Sequence, residues 1–173
     1  LLVKADPILI GPGTSIGGMY LGPLYYYLIA IPLLLANFSP VGPAVFVALL
    51  GIVTIWFIYF VGKEWFGEKA GYISAILYAI SPTVIIYSRS SWNPNIMPFF
   101  ALLLIYSMTR KNYILAAVSF ALCLNSHFLA LLLIPVALII LLKDRPRLSK
   151  LVLPLLIVIF SWNQLVQNII VLS

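Results

Sequence analysis

The sequence has very few charged residues, and long stretches have none. Of 173 residues, 8% are Asp, Glu, Lys or Arg and 64% are hydrophobic, whereas a soluble domain carries roughly a quarter charged residues. Charge is absent from residues 7–62, 70–88, 90–109, 112–142 and 151–173. A membrane-crossing helix needs about 20 mostly apolar residues. The pattern therefore excludes a soluble or disordered chain and predicts an all-α, polytopic transmembrane helical bundle.

Cysteine and histidine are equally scarce. Cys123 is the single cysteine and lies in an apolar run, which excludes a disulfide framework and a cysteine-based metal site. His127 is the single histidine, so a histidine-based metal site is excluded as well. The glycines of residues 11–22 lack the lysine of a phosphate-binding loop. The sequence predicts no nucleotide-binding motif and no nucleic-acid partner.

The basic residues predict how the chain crosses the membrane. Eight of the ten Lys and Arg residues fall in three polar breaks, at 63–69, 110–111 and 143–150. Short loops rich in Lys and Arg stay on the cytoplasmic side, so the helices between these breaks must cross in pairs. About six membrane helices are expected, at residues 44–62, 70–88, 94–109, 112–124, 128–142 and 151–172. The 143–150 cluster is interpreted as a topology signal that touches anionic membrane lipid.

Two segments do not have the length of an ordinary span. Residues 112–142 would extend about 46 Å as one helix, which is long for one crossing and short for two. The pairing rule favours two short helices with a turn at Asn125-Ser126-His127. Residues 23–36 are too short for a ~30 Å hydrocarbon core. We interpret them as a juxtamembrane helix in an outer loop, 1–43, with a short ordinary span as the alternative.

The ends of the sequence suggest a piece of a longer protein. It starts at Leu1 and stops at Ser173 directly after an apolar run. We therefore expect a fragment of a larger membrane protein.

Arg89 is the first candidate functional residue, because it interrupts an apolar stretch on the predicted outer face. One interpretation is an interfacial arginine that extends to water. The other is a phosphate ligand, since guanidinium presents a fork of donors. Trp92 and Asn93 lie in the same segment. A helix that starts at Pro94 would add unpaired N–H groups directed at an anion.

His127 and Asn125 lie at the predicted outer tip of the next hairpin. His127 is either a hydrogen-bonded turn residue or a second donor to a phosphate or hydroxyl. Asp6 is the one carboxylate on the predicted outer side. It is a weak candidate for a catalytic base, because an acid next to Pro7 usually forms a turn.

Segments 11–28, 52–88, 87–100 and 114–135 together resemble a known family. In this order they are similar to the polyprenyl-phosphate-sugar-dependent glycosyltransferases of the GT-C fold, closest to the protein mannosyltransferase and aminoarabinose transferase-like branch. Gly22-Pro23-Leu24 stands in the place of the family's proline motif in the first outer loop. Ser88-Arg89 matches its outer Ser-Arg, and Asn125-Ser126-His127 matches a hairpin tip where many members have lysine.

The resemblance implies a multi-pass membrane enzyme with its site on the extracytoplasmic face, in the plasma membrane if the source is prokaryotic. It would transfer a sugar, with inversion, from a polyprenyl-phosphate donor to a protein, lipid or glycan acceptor. Arg89, and with it His127, would stabilise the departing phosphate. The family's catalytic acid comes early in the first outer loop, so the general base is expected upstream of Leu1 and the fragment is expected to be inactive alone. Because some relatives bind a divalent metal, such a cofactor stays open.

Two other classes compete with this interpretation. A transporter or flippase for lipid-linked solutes places polar residues near the middle of the membrane, whereas here they gather at the outer helix ends. A non-catalytic membrane subunit is the third alternative, because no convincing base is present. The distribution of polar residues favours the interfacial enzyme.

Overall fold

The computed structural model describes residues 8, 10–13 and 20–170, and only the backbone of residues 162–170. The eight α-helices of these residues are α1 (Leu24–Leu35), α2 (Val41–Phe66), α3 (Glu68–Ala79), α4 (Pro82–Tyr87), α5 (Met97–Thr109), α6 (Tyr113–Ser126), α7 (Ile134–Asp144) and α8 (Val152–Ile170). Short 3₁₀ segments precede α5, α7 and α8, at Asn93–Ile96, Phe128–Leu133 and Leu148–Lys150. The predicted all-helical class is confirmed for the described part of the chain.

Helix α2 has the length and composition of a membrane span. Its 26 residues extend about 39 Å at ~1.5 Å per residue, which exceeds a ~30 Å hydrocarbon core. Only 22% of its most apolar window is buried, and large side chains such as Trp56 and Phe60 are exposed. Among the described residues it is the one helix that meets these criteria. The predicted bundle of about six spans is therefore not confirmed, and the number of crossings stays a prediction.

The chain divides into two compact units. The α2–α3 unit comprises residues Ile29–Phe99, and the α6–α8 unit comprises the residues up to Leu28 together with those from Phe100 onward. Helix α1 takes the place of the expected juxtamembrane helix at 23–36, and its position in a membrane stays a prediction.

Helices α2 and α3 form an antiparallel hairpin that reverses at Gly67. Gly67 has a φ of 92°, a conformation that glycine adopts without a steric penalty. Farther along the pair, Gly62 faces Gly71, where an added Cβ would meet the Gly71 Cα at 3.0 Å. The break at 63–69 does contain the reversal, but α2 starts at Val41 and continues to Phe66, beyond the expected bounds of 44–62.

The expected single helix over 70–88 is interrupted, which corrects the sequence interpretation. Helix α3 ends at Ala79 and α4 starts at Pro82. Ser81 has an extended backbone, with ψ at 120°, because a residue before proline is disfavoured in the helical region. The helix expected from 94 likewise begins as a 3₁₀ turn, Asn93–Ile96, before α5.

In the α6–α8 unit the chain reverses between α6 and α7. Leu104 and Ala116 form a small core on which Ala137 and Leu141 of α7 pack. The predicted turn at 125–127 is shorter than expected, because α6 continues through Ser126. The side chains of Asn125 and Ser126 donate to the carbonyls four residues back, at 2.9 and 2.7 Å, and so remain compatible with the helix. The expected helix at 128–142 is a 3₁₀ segment followed by α7.

Candidate functional site

A short turn after α4 carries Arg89 and is held by one amide. The Nδ2 of Asn95 donates to the carbonyl of Tyr87 at 2.7 Å and to the carbonyl of Ser90 at 2.8 Å. It also lies 3.2 Å from the Ser90 hydroxyl. Because these acceptors flank Arg89 along the chain, Asn95 fixes the backbone from which the guanidinium extends. The sequence analysis gave Asn95 no role.

The Arg89 side chain is exposed. Within the described part of the chain, no hydrogen bond or ion pair occupies its guanidinium. Its neighbour Ser88 donates its hydroxyl to the Ile85 carbonyl at 3.0 Å. Arg89 is thus a cation on a fixed turn with its donors available to an anion.

The two other predicted residues of this segment differ in exposure. Trp92 is 53% exposed, and its ring lies 5.9 Å from that of Tyr87. Asn93 is only 7% exposed and begins the 3₁₀ segment before α5. Trp92 can therefore contact a ligand at the surface, whereas Asn93 packs inside the unit.

A cavity of about 330 Å³ lies against this turn within the α2–α3 unit. Its lining includes Val47 and Gly51 of α2, Val84 of α4, and Ser88, Trp92 and Asn95 of the turn region. The sequence analysis missed this cavity. Gly51 is the signal that could have indicated it, because it is a small residue within a helix of bulky apolar ones.

His127 ends α6 and caps the segment that follows. Its backbone is extended, and its Nδ1 accepts a hydrogen bond from the Leu129 N–H at 3.1 Å. The turn role considered from the sequence is therefore present. Because Nδ1 acts as an acceptor, a neutral ring carries its hydrogen on Nε2. The second nitrogen thus remains a potential donor.

Asn125 is buried, at 4% exposure, and connects three parts of the α6–α8 unit. Its Nδ2 donates to the Ala121 carbonyl at 2.9 Å and lies 3.5 Å from the Ser161 hydroxyl of α8. Its amide also occupies the space where a Cβ on Gly22 would lie. A cavity of about 260 Å³ is lined by Asn125, Ser161, Pro23 and Tyr27. The sequence placed Asn125 in the turn at the hairpin tip, whereas it lies in the last turn of α6 and is buried, and its contact with Gly22 was missed.

The predicted site residues belong to both units. Arg89, Trp92 and Asn93 lie in the α2–α3 unit, and Asn125 and His127 lie in the α6–α8 unit. Their convergence on one ligand stays a prediction. Asp6, the candidate base, lies outside the described residues. Among the described residues, no group of three His, Cys, Asp or Glu side chains could hold a metal ion.

Comparison with known protein families gives a match over most of the chain. The family model of dolichyl-phosphate-mannose-protein mannosyltransferase matches residues 21–164. That range contains the Gly22-Pro23-Leu24 motif, Arg89 and the hairpin tip at His127. No curated protein and no solved structure matches the chain. The resemblance inferred from the sequence is confirmed: the chain belongs to the dolichyl-phosphate-mannose-protein mannosyltransferase family, which is of the GT-C type.

Proposed function

We propose that the chain is part of a membrane glycosyltransferase that uses a polyprenyl-phosphate-linked sugar as its donor. The acceptor is a hydroxyl group of a protein, lipid or glycan at the outer face of the membrane. Membership of the family supports a glycosyltransferase of mannosyltransferase type in a membrane-integral protein. We propose three further points. The donor sugar is linked to polyprenyl phosphate, its anomeric carbon is inverted, and the acceptor lies at the outer face.

The available guanidinium of Arg89 is the observation that carries this proposal. In the reaction, the acceptor oxygen bonds to the anomeric carbon as the bond from that carbon to the phosphate oxygen breaks. The electron pair of the broken bond leaves with the lipid phosphate, and one displacement inverts the configuration. Arg89 would bind the phosphate through two parallel N–H donors and stabilise the charge that develops on it.

Other residues would assist from fixed positions. Asn95 would hold the Arg89 turn in place through its bonds to Tyr87 and Ser90. His127 would offer Nε2 as a donor to a phosphate or to a sugar hydroxyl. The acceptor proton requires a base, for which Asp6 is the weak candidate in this sequence.

Three buried hydroxyl groups within the helices favour an interfacial enzyme over the transporter alternative, whereas the Ser107 hydroxyl, which is buried without a partner among the described residues, lies in the last turn of α5. Thr54, Ser119 and Ser126 donate to carbonyls of their own helices at 2.7 to 2.8 Å. A transporter needs polar groups near the middle of the membrane that are free to bind solute. These three hydroxyl hydrogens are already used within the helices.

The test is the substitution Arg89→Ala in the full-length protein that contains this chain. The readout is transfer of labelled sugar from a polyprenyl-phosphate donor to acceptor. Loss of a donor that stabilises transition-state charge lowers kcat by about 10²–10³-fold, and we expect a loss of that size. Arg89→Lys should recover only part of the rate, because lysine keeps the charge without the planar fork.

Arg110→Ala is the matched control. Arg110 is also exposed and lies over the Tyr106 ring at 5.8 Å, in the break predicted to be cytoplasmic. Its removal should leave transfer unchanged. Near-normal transfer by a well-folded Arg89→Ala variant would refute the assignment of Arg89. An absence of transfer by the wild-type protein would instead favour the transport or non-catalytic alternatives.

A further inference from the structure

We propose that the α6–α8 unit binds an anionic phospholipid of the membrane, with an acyl chain in an apolar groove and the phosphate at the two basic turns that border this groove. The ligand is a lipid of the surrounding bilayer and not the sugar donor. It would lie at the side of the membrane that the charge pattern predicts to be cytoplasmic, whereas sugar transfer is proposed for the outer face. The inference therefore goes beyond the proposed function and does not rest on it.

The groove runs along three helices and is about 280 Å³ in volume. Its lining takes residues i, i+3, i+4 and i+7 from each of them, counted from Tyr113 of α6, Ile134 of α7 and Leu151, which directly precedes α8. Side chains at this spacing share one face of a helix. Seven residues of helix extend about 10 Å, and one leaflet is about half of a ~30 Å hydrocarbon core. The groove therefore covers most of the depth of one leaflet.

The lining of the groove suits hydrocarbon. Among the described residues that form it, only Tyr113 has an oxygen or nitrogen atom in its side chain. Leu138 and Leu155 are 51% and 55% exposed, so the groove is open at the surface of the unit. An apolar cavity of ~150 Å³ can hold the six carbon atoms of benzene, and on that scale about 280 Å³ has room for about a dozen carbon atoms. That is a large part of one acyl chain.

Two basic turns, 109–112 and 143–150, are connected directly to residues that line the groove. The Lys111 N–H donates to the Met108 carbonyl, and the Arg145 N–H donates to the Leu141 carbonyl, each at 2.9 Å. Met108 and Leu141 both belong to the lining. Leu151, at the other end of the second turn, is a lining residue as well. The positive charges of both turns are therefore attached close to the apolar strip.

The charge of these turns matches an anionic lipid. Together they carry six basic residues and one acid, Asp144. Lys111, Lys143 and Arg145 are exposed, and within the described ranges of the chain no ion pair uses them. Clusters of Lys and Arg at the membrane surface attract anionic lipids, and arginine can bind a phosphate through two parallel N–H donors. The excess of positive charge favours a lipid of net negative charge over a zwitterionic one, whose own cation weakens the attraction.

A packed helix is the other occupant that an apolar groove could accept. Two turns of an α-helix about 10 Å in diameter occupy roughly 800 Å³, which is well above the volume of about 280 Å³ in the groove. A helix would insert only some of its side chains and would bring no phosphate to the basic turns. The volume and the charge together favour the lipid.

The experiment is photolabelling of the purified full-length protein that contains this chain, in detergent micelles. The probe is phosphatidylglycerol with a diazirine in one acyl chain, and labelled peptides are identified by mass spectrometry. We expect labels on the lining positions of α6, α7 and α8. Unlabelled phosphatidylglycerol should suppress this labelling at a concentration at least about tenfold lower than phosphatidylcholine does, because basic residues near the membrane surface attract anionic lipid.

Leu155→Trp and Leu156→Trp form a matched pair that tests the groove. Leu155 lines it, whereas Leu156 is the next residue, is equally exposed at 56% and does not line it. Tryptophan at 155 should lower labelling of the groove at least about tenfold, which corresponds to the loss of a few buried methylene groups. Tryptophan at 156 should leave it unchanged. Leu138→Trp fills the groove from α7 as a second variant, with Ile139→Trp as its control.

A charge-neutralising pair tests the phosphate end. Lys111→Gln with Arg145→Gln should abolish the preference for phosphatidylglycerol over phosphatidylcholine. Lys63→Gln with Lys69→Gln removes the same charge from the α2–α3 hairpin and should preserve it. Variants are compared where their unfolding temperatures match that of the wild type, and either groove-filling variant alone is sufficient.

Three results would overturn the proposal. They are equal competition by the two lipids in the wild type, undiminished labelling of the groove-filling variants, and labels that lie only outside the groove. The last result would show that another part of the protein or no lipid chain occupies it. Sugar transfer enters none of these readouts, so a failure of the proposed function would leave the lipid site standing.

Discussion

Gly22→Ala provides a sharp test of how the outer-loop motif is attached to the helices. Gly22 precedes Pro23, whose carbonyl accepts the Tyr26 N–H at 2.9 Å as α1 begins. A Cβ built on Gly22 would lie 2.7 Å from Cγ of Asn125 and closer still to its Oδ1. The φ of Gly22 is outside the left-handed region. Alanine is thus excluded by the Asn125 side chain and not by backbone strain.

The magnitude follows from the two ways of relieving this contact. Carbon atoms in ordinary contact are about 3.5–4.0 Å apart, and Oδ1 is closer to the Cβ than Cγ is, so the Cβ and the Asn125 side chain must separate by more than about 1 Å. If Asn125 moves, its bond to the Ala121 carbonyl is lost and a buried amide is left unsatisfied, at about 1–3 kcal/mol. If the loop moves, packing is disrupted at a similar overpacking cost of about 1–3 kcal/mol. We therefore expect Gly22→Ala to lower the free energy of unfolding by about 1–3 kcal/mol.

The assay is a double-mutant cycle on the purified full-length protein, with unfolding followed by denaturant titration. Asn125→Ala alone should also destabilise, because it removes the amide that connects α6 to Ser161 of α8. It also removes the atoms that the new Cβ would meet. Adding Gly22→Ala to Asn125→Ala should therefore have little further effect, and the coupling energy should be about as large as the effect of Gly22→Ala alone.

Gly13→Ala is the matched loop control. Among the described residues, a Cβ on Gly13 meets only the Tyr20 ring, at 3.7 Å. Its stability should stay near that of the wild type, since nothing must move. The reasoning is refuted if Gly22→Ala is as stable as the wild type, or if Gly22→Ala and Asn125→Ala destabilise additively.

Two further predictions concern the helix pairs. Gly71→Ala should lower the unfolding temperature, because its Cβ would lie 2.6 Å from the Tyr59 carbonyl oxygen and 2.8 Å from the Lys63 nitrogen. Both are backbone atoms, so α2 and α3 must move apart. This movement should lower the free energy of unfolding by about 1–3 kcal/mol. An unchanged unfolding temperature would contradict this. In a background without Cys123, Lys111→Cys and Lys143→Cys should react with an impermeant thiol reagent from the same side of the membrane, since both are exposed and flank the α6–α7 reversal. Labelling from opposite sides would contradict the pairing of these helices.

The polar breaks lie at junctions between helices, and the reason is physical. The charged residues at 63–69, 110–111 and 143–150 prefer water, and each break contains or adjoins a junction between helices: α2 to α3, α5 to α6, and α7 to α8. Charge gave no information about interruptions inside apolar runs. The break at Ser81-Pro82 follows from the missing N–H and the steric effect of proline, which the search for charge-free runs ignored.

The roles of individual polar residues were less predictable, because the same residue type serves different purposes. Asn95 and Asn125 both lie near helix ends, yet Asn95 closes a turn within its own segment and Asn125 joins α6 to α8 and to Gly22. The partner of Asn95 is close in sequence, so a turn motif could indicate it. Ser161 and Gly22, the residues to which Asn125 joins α6, are remote in sequence, and no local pattern contains them.

Arg89 differs from both, and this difference explains why it remains the strongest site candidate. A structural polar residue is recognised by the partners that use its hydrogen-bonding groups, as with Asn95, Asn125 and the Nδ1 of His127. Arg89 is a charged donor on a turn that another residue holds rigid, and its guanidinium is not used by the part of the chain that the structure describes. Its donors are therefore available to an anion, which supports the proposal that Arg89 binds the phosphate of the donor.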